Sequence, residues 1–565
     1  MRGLLQIPRH RSSNTHSGPL ASLLRFLALI KIPARKLNCS PLRSVLKIYA
    51  DPAGSVVRKN ALLLVILFTG VVLRLYQLGA ESLWYDEAIS TWAAHQSPSQ
   101  ILEVSKDDNN FFSYYLLLHY WVGLFGDTEY SVRLPSALAG IFAIFVMYKV
   151  GCLLFGRNEA LIASLILALS PLHVYYSQEA RVYEIMVLLS LLSFYFLLKV
   201  IRKGDLRGQA GYVLCTSALM YSHVYGLFVV LAQNLYLATA FLISKPFGLR
   251  EETRKPGLGR WIFLQVLLFV LYVPGLVLLT GWILDPEGRG LIEPPSIGVV
   301  YSDLVIYAGS PLLLMLLLVL SLLATAGLIR EDATGREKLW LLLTWFLVPV
   351  ALPLTVSLFS TPIYYYRYGM AASLALYLMA AKGVGVASGA LASFQGARPR
   401  KPLGFGGNMA WLIVAAMLIG LSCGVLWRHF DTIDKTQWRE AARYVESHAR
   451  SNDLVLFYPF FEMLSLGQYY FEGIPIKKEE LEKTIKNDER SLRQHDRIWI
   501  VHALDWVPRE EFTYDSFFSK RSYAAVQEVG FGPYHRQCYP YHPIPCGVLH
   551  PGEGKGIDVT LYEKK

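Results

Sequence analysis

The stretch NALLLVILFTGVVLRLYQLGAESLWYDEAIS, residues 60–90, joins an apolar run to a loop that opens on aromatic rings and two adjacent acids. Between Ala61 and Gly79 the sole charged residue is Arg74, and about 20 apolar residues are what one helical bilayer crossing needs. Just past that run, Trp84 and Tyr85 are suited to the headgroup level, and Asp86 and Glu87 follow them directly. A carboxylate partly shielded from water there can act as a general base. An adjacent hard pair equally suits a divalent ion, and a solvated acidic turn is the plain alternative; the residues alone leave all three open.

Working outward, the same kind of run recurs along the chain. With 53% hydrophobic and 17% charged residues over 565 positions, and a mean hydropathy of +0.35, the protein is too apolar to be soluble at this size. Eleven candidate spans fall near 61–79, 131–155, 159–176, 182–200, 210–222, 224–243, 261–283, 305–329, 339–357, 370–388 and 409–427. The run Phe111–Phe125 carries His119, Trp121 and six Tyr or Phe residues and reads as an aromatic helix lying at the interface. The net charge of +11 does not indicate nucleic acid, because the basic residues sit between apolar runs instead of on one water-facing surface. They mark orientation instead. With the N-terminus in the cytoplasm, the inner loops 156–158, 201–209, 244–260, 330–338 and 389–408 hold fifteen Lys or Arg, and the outer loops 80–130, 177–181, 223, 284–304 and 358–369 hold four.

Three regions follow. Residues 1–60 form a basic cytoplasmic N-terminal segment whose short apolar run, Leu20–Ile32, suits a surface helix. Residues 61–427 form the membrane domain. Residues 428–565 form an extracytoplasmic soluble domain, in which helix-like WREAARYVESHA (Trp438–Ala449), strand-like DLVLFY (Asp453–Tyr458) and RIWIVHAL (Arg497–Leu504) predict a small α/β fold. The inner loop around 396–407 is rich in Gly, Pro and Arg. Cys538 and Cys546 lie in the outer tail, where they can either pair or stay free; no spacing among the six cysteines resembles a metal site.

Four separated blocks carry a resemblance. Arg74, Gly79, Trp84, Asp86 and Glu87 match an arginine and a glycine followed by W-x-D-E. Next come YYLLLHYWVGLFGDTEYSVRLPSALAG (Tyr114–Gly140), SPLHVYYSQEARVYE (Ser170–Glu184) and YYYRYG (Tyr364–Gly369). In this order they resemble the GT-C glycosyltransferases of the protein O-mannosyltransferase and aminoarabinose-transferase superfamily, over roughly residues 61–390. Where that family has His-Pro-Pro ahead of the second block, this chain has Asn109, Asn110, Phe111 and Phe112.

The resemblance implies that Asp86 is the catalytic base and Glu87 a hydrogen-bonding or secondary acid. It also implies a polyprenyl-phosphate sugar as donor. Cleavage of that donor leaves a more highly charged phosphate, which calls for cations, and a guanidinium fork can bind two phosphate oxygens. Arg181 and Arg367 are each the sole Lys or Arg of an otherwise apolar or aromatic outer loop; the family's Arg-Tyr, here Arg367 and Tyr368, is associated with the lipid phosphate. Arg74 and Glu179 are further substrate-binding candidates. The plain alternative for the arginines is snorkelling to headgroups, and for His119, His173 and His223 a structural hydrogen bond. The expected protein is thus a polytopic α-helical GT-C enzyme of the inner membrane with an extracytoplasmic active site. It passes sugar to a hydroxyl of a protein, lipid or polysaccharide with inversion, without a resident cofactor, a divalent ion on the acidic pair being the competing role. A transporter or flippase of lipid-linked sugars is the rival, and it calls for midplane ionisable residues and inverted repeats, neither evident in the sequence.

Overall fold

The computed structural model describes residues 55–105, 112–242, 257–284, 295–360, 362–394, 409–431 and 435–458, and, beyond these, 466–471, 474, 477–481, 484, 492, 494–503, 517–518, 523–533 and 555–564. The expected surface helix at 20–32, the inner loop 396–407, Asn109 to Phe111, and Cys538 with Cys546 all lie outside the described residues. The chain divides into two compact units, Met1–Leu64 and Val65–Lys565. The described part of the first, residues 55–64, is the start of helix α1 (Ser55–Leu75).

In the second unit, three short helices follow α1: α2 (Tyr85–Ala94), α3 (Pro98–Val104) and α4 (Phe112–Phe125). Then come α5 (Glu129–Leu154), α6 (Arg157–Leu169), α7 (Pro171–Ser177), α8 (Tyr183–Lys203), α9 (Leu206–Ser222) and α10 (Gly226–Leu242). The helical part closes with α11 (Leu258–Leu284), α12 (Ile297–Ala308), α13 (Pro311–Arg330), α14 (Ala333–Phe359), α15 (Ser373–Phe394) and α16 (Met409–Asp431). Large apolar side chains such as Phe142, Phe263 and Leu322 remain exposed on these helices, as lipid-facing residues do. The protein is an integral membrane protein.

Eleven full spans are not what the described residues hold. Seven helices are long and apolar enough to cross, and α6 with α7, bent by 58°, makes an eighth. The other expected spans fall short for local reasons. The apolar part of α1, Asn60–Leu75, is short, and so are α9 and α10, of 17 residues each, where spans 210–222 and 224–243 are expected. The expected span 305–329 is present as one of the seven but starts only at Pro311, because Gly309 takes the left-handed conformation (φ 97°) that ends α12, and Pro311 opens α13 at its first position, where a missing N–H costs nothing. The aromatic run forms the 14-residue α4, too short to span.

The break between α6 and α7 has a traceable cause. Pro171 has no N–H to give the carbonyl four residues back, that of Leu167. Arg74 fills the gap: its guanidinium donates to Leu167 O (3.1 Å) and Ala168 O (3.2 Å). The side chain is fully buried. It passes against Gly140, where a Cβ would overlap the Ser177 hydroxyl and crowd Arg74 Nε, so this close approach requires glycine.

The C-terminal segment carries α17 (Trp438–His448), β1 (Leu454–Tyr458), α18 (Gln468–Phe471), β2 (Lys477–Glu480), β3 (Arg497–Ala503), β4 (Tyr523–Pro533) and β5 (Lys555–Lys564). The strands form one sheet in the order β2-β1-β3-β5-β4, with β1 parallel to both β2 and β3, and β5 antiparallel to β3 and β4. Every residue of β1 is buried, as suits a strand covered on both faces. Leu454, Leu456, Ile498, Ile500, Phe518 and Tyr562 pack one core, while α17 buries Trp438, Ala441, Ala442 and Val445 at helical spacing. The small α/β region expected from the sequence is present.

Candidate active site

Helix α2 starts at the acidic pair, so Asp86 and Glu87 both lie in its first turn, where the exposed N–H groups and the helix dipole favour negative charge. Successive residues on a helix point about 100° apart. The two carboxylates therefore face different partners.

Glu87 faces inward and is fully buried. Arg133, on α5, meets it side-on, Nε to Oε1 and Nη2 to Oε2, both at 2.8 Å. The backbone N–H of Ala180 donates at 2.8 Å and Lys435 Nζ at 3.0 Å. Burial by itself pushes the Glu87 carboxyl up, but Arg133 and then Lys435, with the hydrogen bonds from Arg133 and Ala180, outweigh it and bring the pKa down to about 2. Arg133 spends its remaining donors on the carbonyls of Leu78 (3.0 Å), Glu81 (2.9 Å) and Ser82 (2.8 Å). Glu87 and Arg133 thus fix the loop 78–82 and the start of α2 against α5.

Asp86 faces the other way and keeps 17% of its side chain exposed. Its Oδ2 lies 3.1 Å from Arg367 Nη1 and 3.8 Å from Arg181 Nη2, and Arg181 also donates to the Asp86 carbonyl at 3.2 Å. Arg367 is backed by aromatic faces: its guanidinium carbon lies 4.9 Å from the Tyr365 ring centre, 5.3 Å from Tyr183 and 5.7 Å from Tyr368. Tyr307 holds the turn by donating to the Tyr366 carbonyl at 2.9 Å. The YYYRYG and SQEAR loops, far apart in sequence, meet over one carboxylate. Glu179 sits on the Glu87 side, fully buried, with Lys435 Nζ at 3.7 Å from its Oε1. Burial, together with the neighbouring Glu87 and Asp86, pushes its carboxyl up to about 7 against the pull of Lys435.

The structure therefore brings Asp86, Glu87, Glu179, Arg181, Arg367 and Tyr368 together. It does not bring Arg74, whose guanidinium serves the α6–α7 break. Asp86 and Glu87 engage separate sets of cations, and among the described residues no group of three or more His, Cys, Asp or Glu is placed to hold a metal ion. Two residues that sequence reasoning did not single out are Arg133 and Lys435. An arginine in the apolar block SVRLPSALAG signals a buried acidic partner. Lys435 has no such local signal. It comes from the segment after α16, whose His429 also bonds Gln178 (Nε2 to Oε1, 3.1 Å). Arg439 donates to the carbonyls of Gly79 and Ala80, and Tyr470 accepts from the Leu83 N–H at 2.6 Å. A cavity of about 40 Å³ lies among these groups, lined by Glu81, Arg133, Gln178, His429 and Lys435.

Comparison with known proteins finds partial sequence matches and a shared fold. Residues 112–277 match the model described as dolichyl-phosphate-mannose-protein mannosyltransferase. Two proteins of Bacillus subtilis (strain 168), both described by inference as mannosyltransferases, match in part: YkcB is 39% identical over 83 residues and YycA 31% identical over 126. These cover 15% and 22% of the chain, which spans only 12% and 16% of the length of those relatives. The fold is similar to that of ArnT from Cupriavidus metallidurans, solved in the apo state (TM-score 0.56) and bound to undecaprenyl phosphate (0.54); each is 12% identical, with 89% of this chain and 98% of the other covered. It is also similar to the oligosaccharyltransferase AglB from Archaeoglobus fulgidus, solved with an inhibitory peptide and a dolichol-phosphate, at a TM-score of 0.50 and 11% identity, covering 79% of this chain and 69% of that one. Over nearly its whole length the chain shares the GT-C fold of these membrane proteins, and within it residues 112–277 match the mannosyltransferase family model.

Proposed function

We propose that the protein transfers a sugar from a polyprenyl-phosphate donor to an acceptor hydroxyl at the extracytoplasmic face of the inner membrane, with inversion and with Asp86 as general base. The observation that carries this reading is the meeting of a partly exposed carboxylate with two guanidinium groups, Arg181 and Arg367, contributed by separate loops. A carboxylate is far too weak a base to ionise a hydroxyl beforehand, so proton transfer accompanies attack. The acceptor oxygen bonds to the anomeric carbon, the bond from that carbon to the phosphate oxygen breaks, and the acceptor proton passes to Asp86. The phosphate leaves as a monoester, and its added charge falls to Arg367 and Arg181. Tyr365, Tyr368 and Tyr183 keep the Arg367 fork in place, while Glu87 holds α2 and with it Asp86.

The similar structures with undecaprenyl phosphate and dolichol-phosphate bound support the donor class. On this reading residues 61–427 are the transferase domain, 1–60 a cytoplasmic segment and 428–565 an extracytoplasmic domain, and the acceptor is a protein, lipid or polysaccharide hydroxyl.

The test is a transfer assay on the purified chain with a set of radiolabelled polyprenyl-phosphate sugars and membrane acceptors. Wild type should transfer label, and Asp86→Asn should lose about 10²–10⁴-fold in rate while still binding donor. Undiminished transfer by Asp86→Asn refutes the base. Lipid-linked sugar that crosses the bilayer without any transfer refutes the enzyme in favour of a flippase. Activity lost to a chelator and restored by Mg²⁺ or Mn²⁺ assigns the acidic pair to a metal.

A further inference from the structure

His119 and His173 are hydrogen-bonded within the fold: His119 Nδ1 pairs with the Ala94 carbonyl at 2.8 Å, and His173 pairs with Glu184 at Nδ1 (2.7 Å) and with Ser373 at Nε2 (2.9 Å). His223, in the connection from α9 to α10, is different. The backbone N–H of Tyr225 points at its Nδ1, 3.1 Å away. An N–H is received only by a lone pair, so Nδ1 is bare and the neutral ring carries its proton on Nε2. That Nε2 has no hydrogen-bond partner among the described residues, although the ring is only 1% exposed. A buried donor left unpaired costs on the order of a hydrogen bond or more, which marks it as built for something that arrives later.

Its surroundings say what arrives. Tyr368 packs on His223 with ring centres 4.6 Å apart, and Tyr183 lies at 6.3 Å. The Tyr183 ring is flanked by Arg367 at 5.3 Å and Arg181 at 6.0 Å, and its buried hydroxyl likewise has no hydrogen-bond partner among the described residues. Burial, then Arg181 and Arg367, hold the imidazole pKa down to about 3, so the ring is uncharged near neutral pH. Two cations beside two neutral, unpaired donors match an anion with several oxygens.

We propose that His223, as a neutral Nε2–H donor, binds a phosphoryl oxygen of the lipid-linked donor, with the Tyr183 hydroxyl as its companion. The inference rests on the reading of this site as a polyprenyl-phosphate transferase. A neutral donor suits the place better than a third cation, which the two arginines would repel. It adds a hydrogen bond that strengthens as the leaving phosphate gains charge. His223 moves no proton in this role.

Binding to the purified full chain tests it, using a short-chain polyprenyl monophosphate, the matching polyprenol and inorganic phosphate as probes. His223→Phe fills the space without a donor and should weaken monophosphate binding about ten- to a hundredfold. His223→Gln, whose amide nitrogen takes the place of Nε2, should stay within about fivefold of wild type. Neither change should alter polyprenol binding, and the ratios should hold from pH 6 to 8. Monophosphate binding by His223→Phe equal to wild type overturns the proposal. Equal losses in both variants also overturn it, because the ring would then be packing alone. Inorganic phosphate bound as tightly as the lipid monophosphate overturns the assignment to the lipid-linked donor. Wild type that binds polyprenol as well as the monophosphate overturns the phosphate site itself, and with it the underlying reading of the transferase.

Discussion

Asp86 and Glu87 are chemically near-identical neighbours put to different uses by helix geometry alone. One step along α2 turns Glu87 into a five-donor shell and leaves Asp86 partly exposed between Arg181 and Arg367. At this scale Arg367 gives a direct test. Arg367→Lys keeps a charge for Asp86 and for phosphate but loses the planar fork and its stacking on Tyr365, so part of the activity should remain, whereas Arg367→Ala should lose far more. Equal kcat/KM in wild type and Arg367→Ala would reduce the residue to a headgroup anchor. The acidic pair and both loop arginines were legible in the sequence because acids and lone cations stand out against apolar loops. Which acid faces the arginines came from the family resemblance and not from the residues themselves, since helix phase around α2 depends on where the helix starts. Arg74 misled for a related reason. Its charge showed, but the partner carbonyls are freed by Pro171, nearly a hundred residues later.

At the scale of elements, His429, Lys435 and Arg439 grip the SQEAR loop and the loop that leads into α2. Lys435 is the electrostatic pin, set between Glu87 and Glu179. Removing one partner of a buried pair typically costs about 3–5 kcal/mol, because the other charge is stranded. Lys435→Met should therefore cost activity and thermal stability, more at pH 8.5 than at pH 6, because Glu179, already pushed up to about 7, takes a proton at the lower pH once the lysine is gone. At the higher pH, adding Glu179→Gln should recover much of the stability. A double variant no better than Lys435→Met alone would show that the lysine acts through packing. Helix α17 and strands β1 and β3 were readable from their pattern, a 3.6-residue spacing in one and short apolar runs in the others. The role of the linker before them was not, because a single lysine in a polar stretch carries no periodic signal.

For the molecule as a whole, span boundaries were the least legible feature. Hydropathy alone passes over breaks such as Gly309 and the Ser170–Pro171 step, which are set by backbone conformation. Among the described residues between Gly257 and Lys565 lie five candidate spans, Leu258–Thr280, Pro311–Arg330, Ala333–Phe359, Met370–Leu391 and Trp411–Asp431. An odd number predicts that reporters near Gly257 and after Lys565 face opposite sides, in keeping with the positive charge of the inner loops. Reporters on one side would reject that arrangement.

The arginine that mends the α6–α7 break also bears on how the chain is made. When α1 leaves the ribosome, the carbonyls that will receive Arg74 have not yet been synthesised, and an arginine central in a lone helix costs roughly 2.5–3.5 kcal/mol to insert, less near an end. On its own α1 should be a reluctant membrane segment that settles only once α6 emerges. In a glycosylation-mapping assay on the isolated segment 55–79, Arg74→Leu should raise the inserted fraction. In the complete chain the same change should lower the yield of folded protein, by leaving the Leu167 and Ala168 carbonyls without donors. A residue that hinders insertion of its own helix and is needed once α6 has emerged makes the order of synthesis part of the fold.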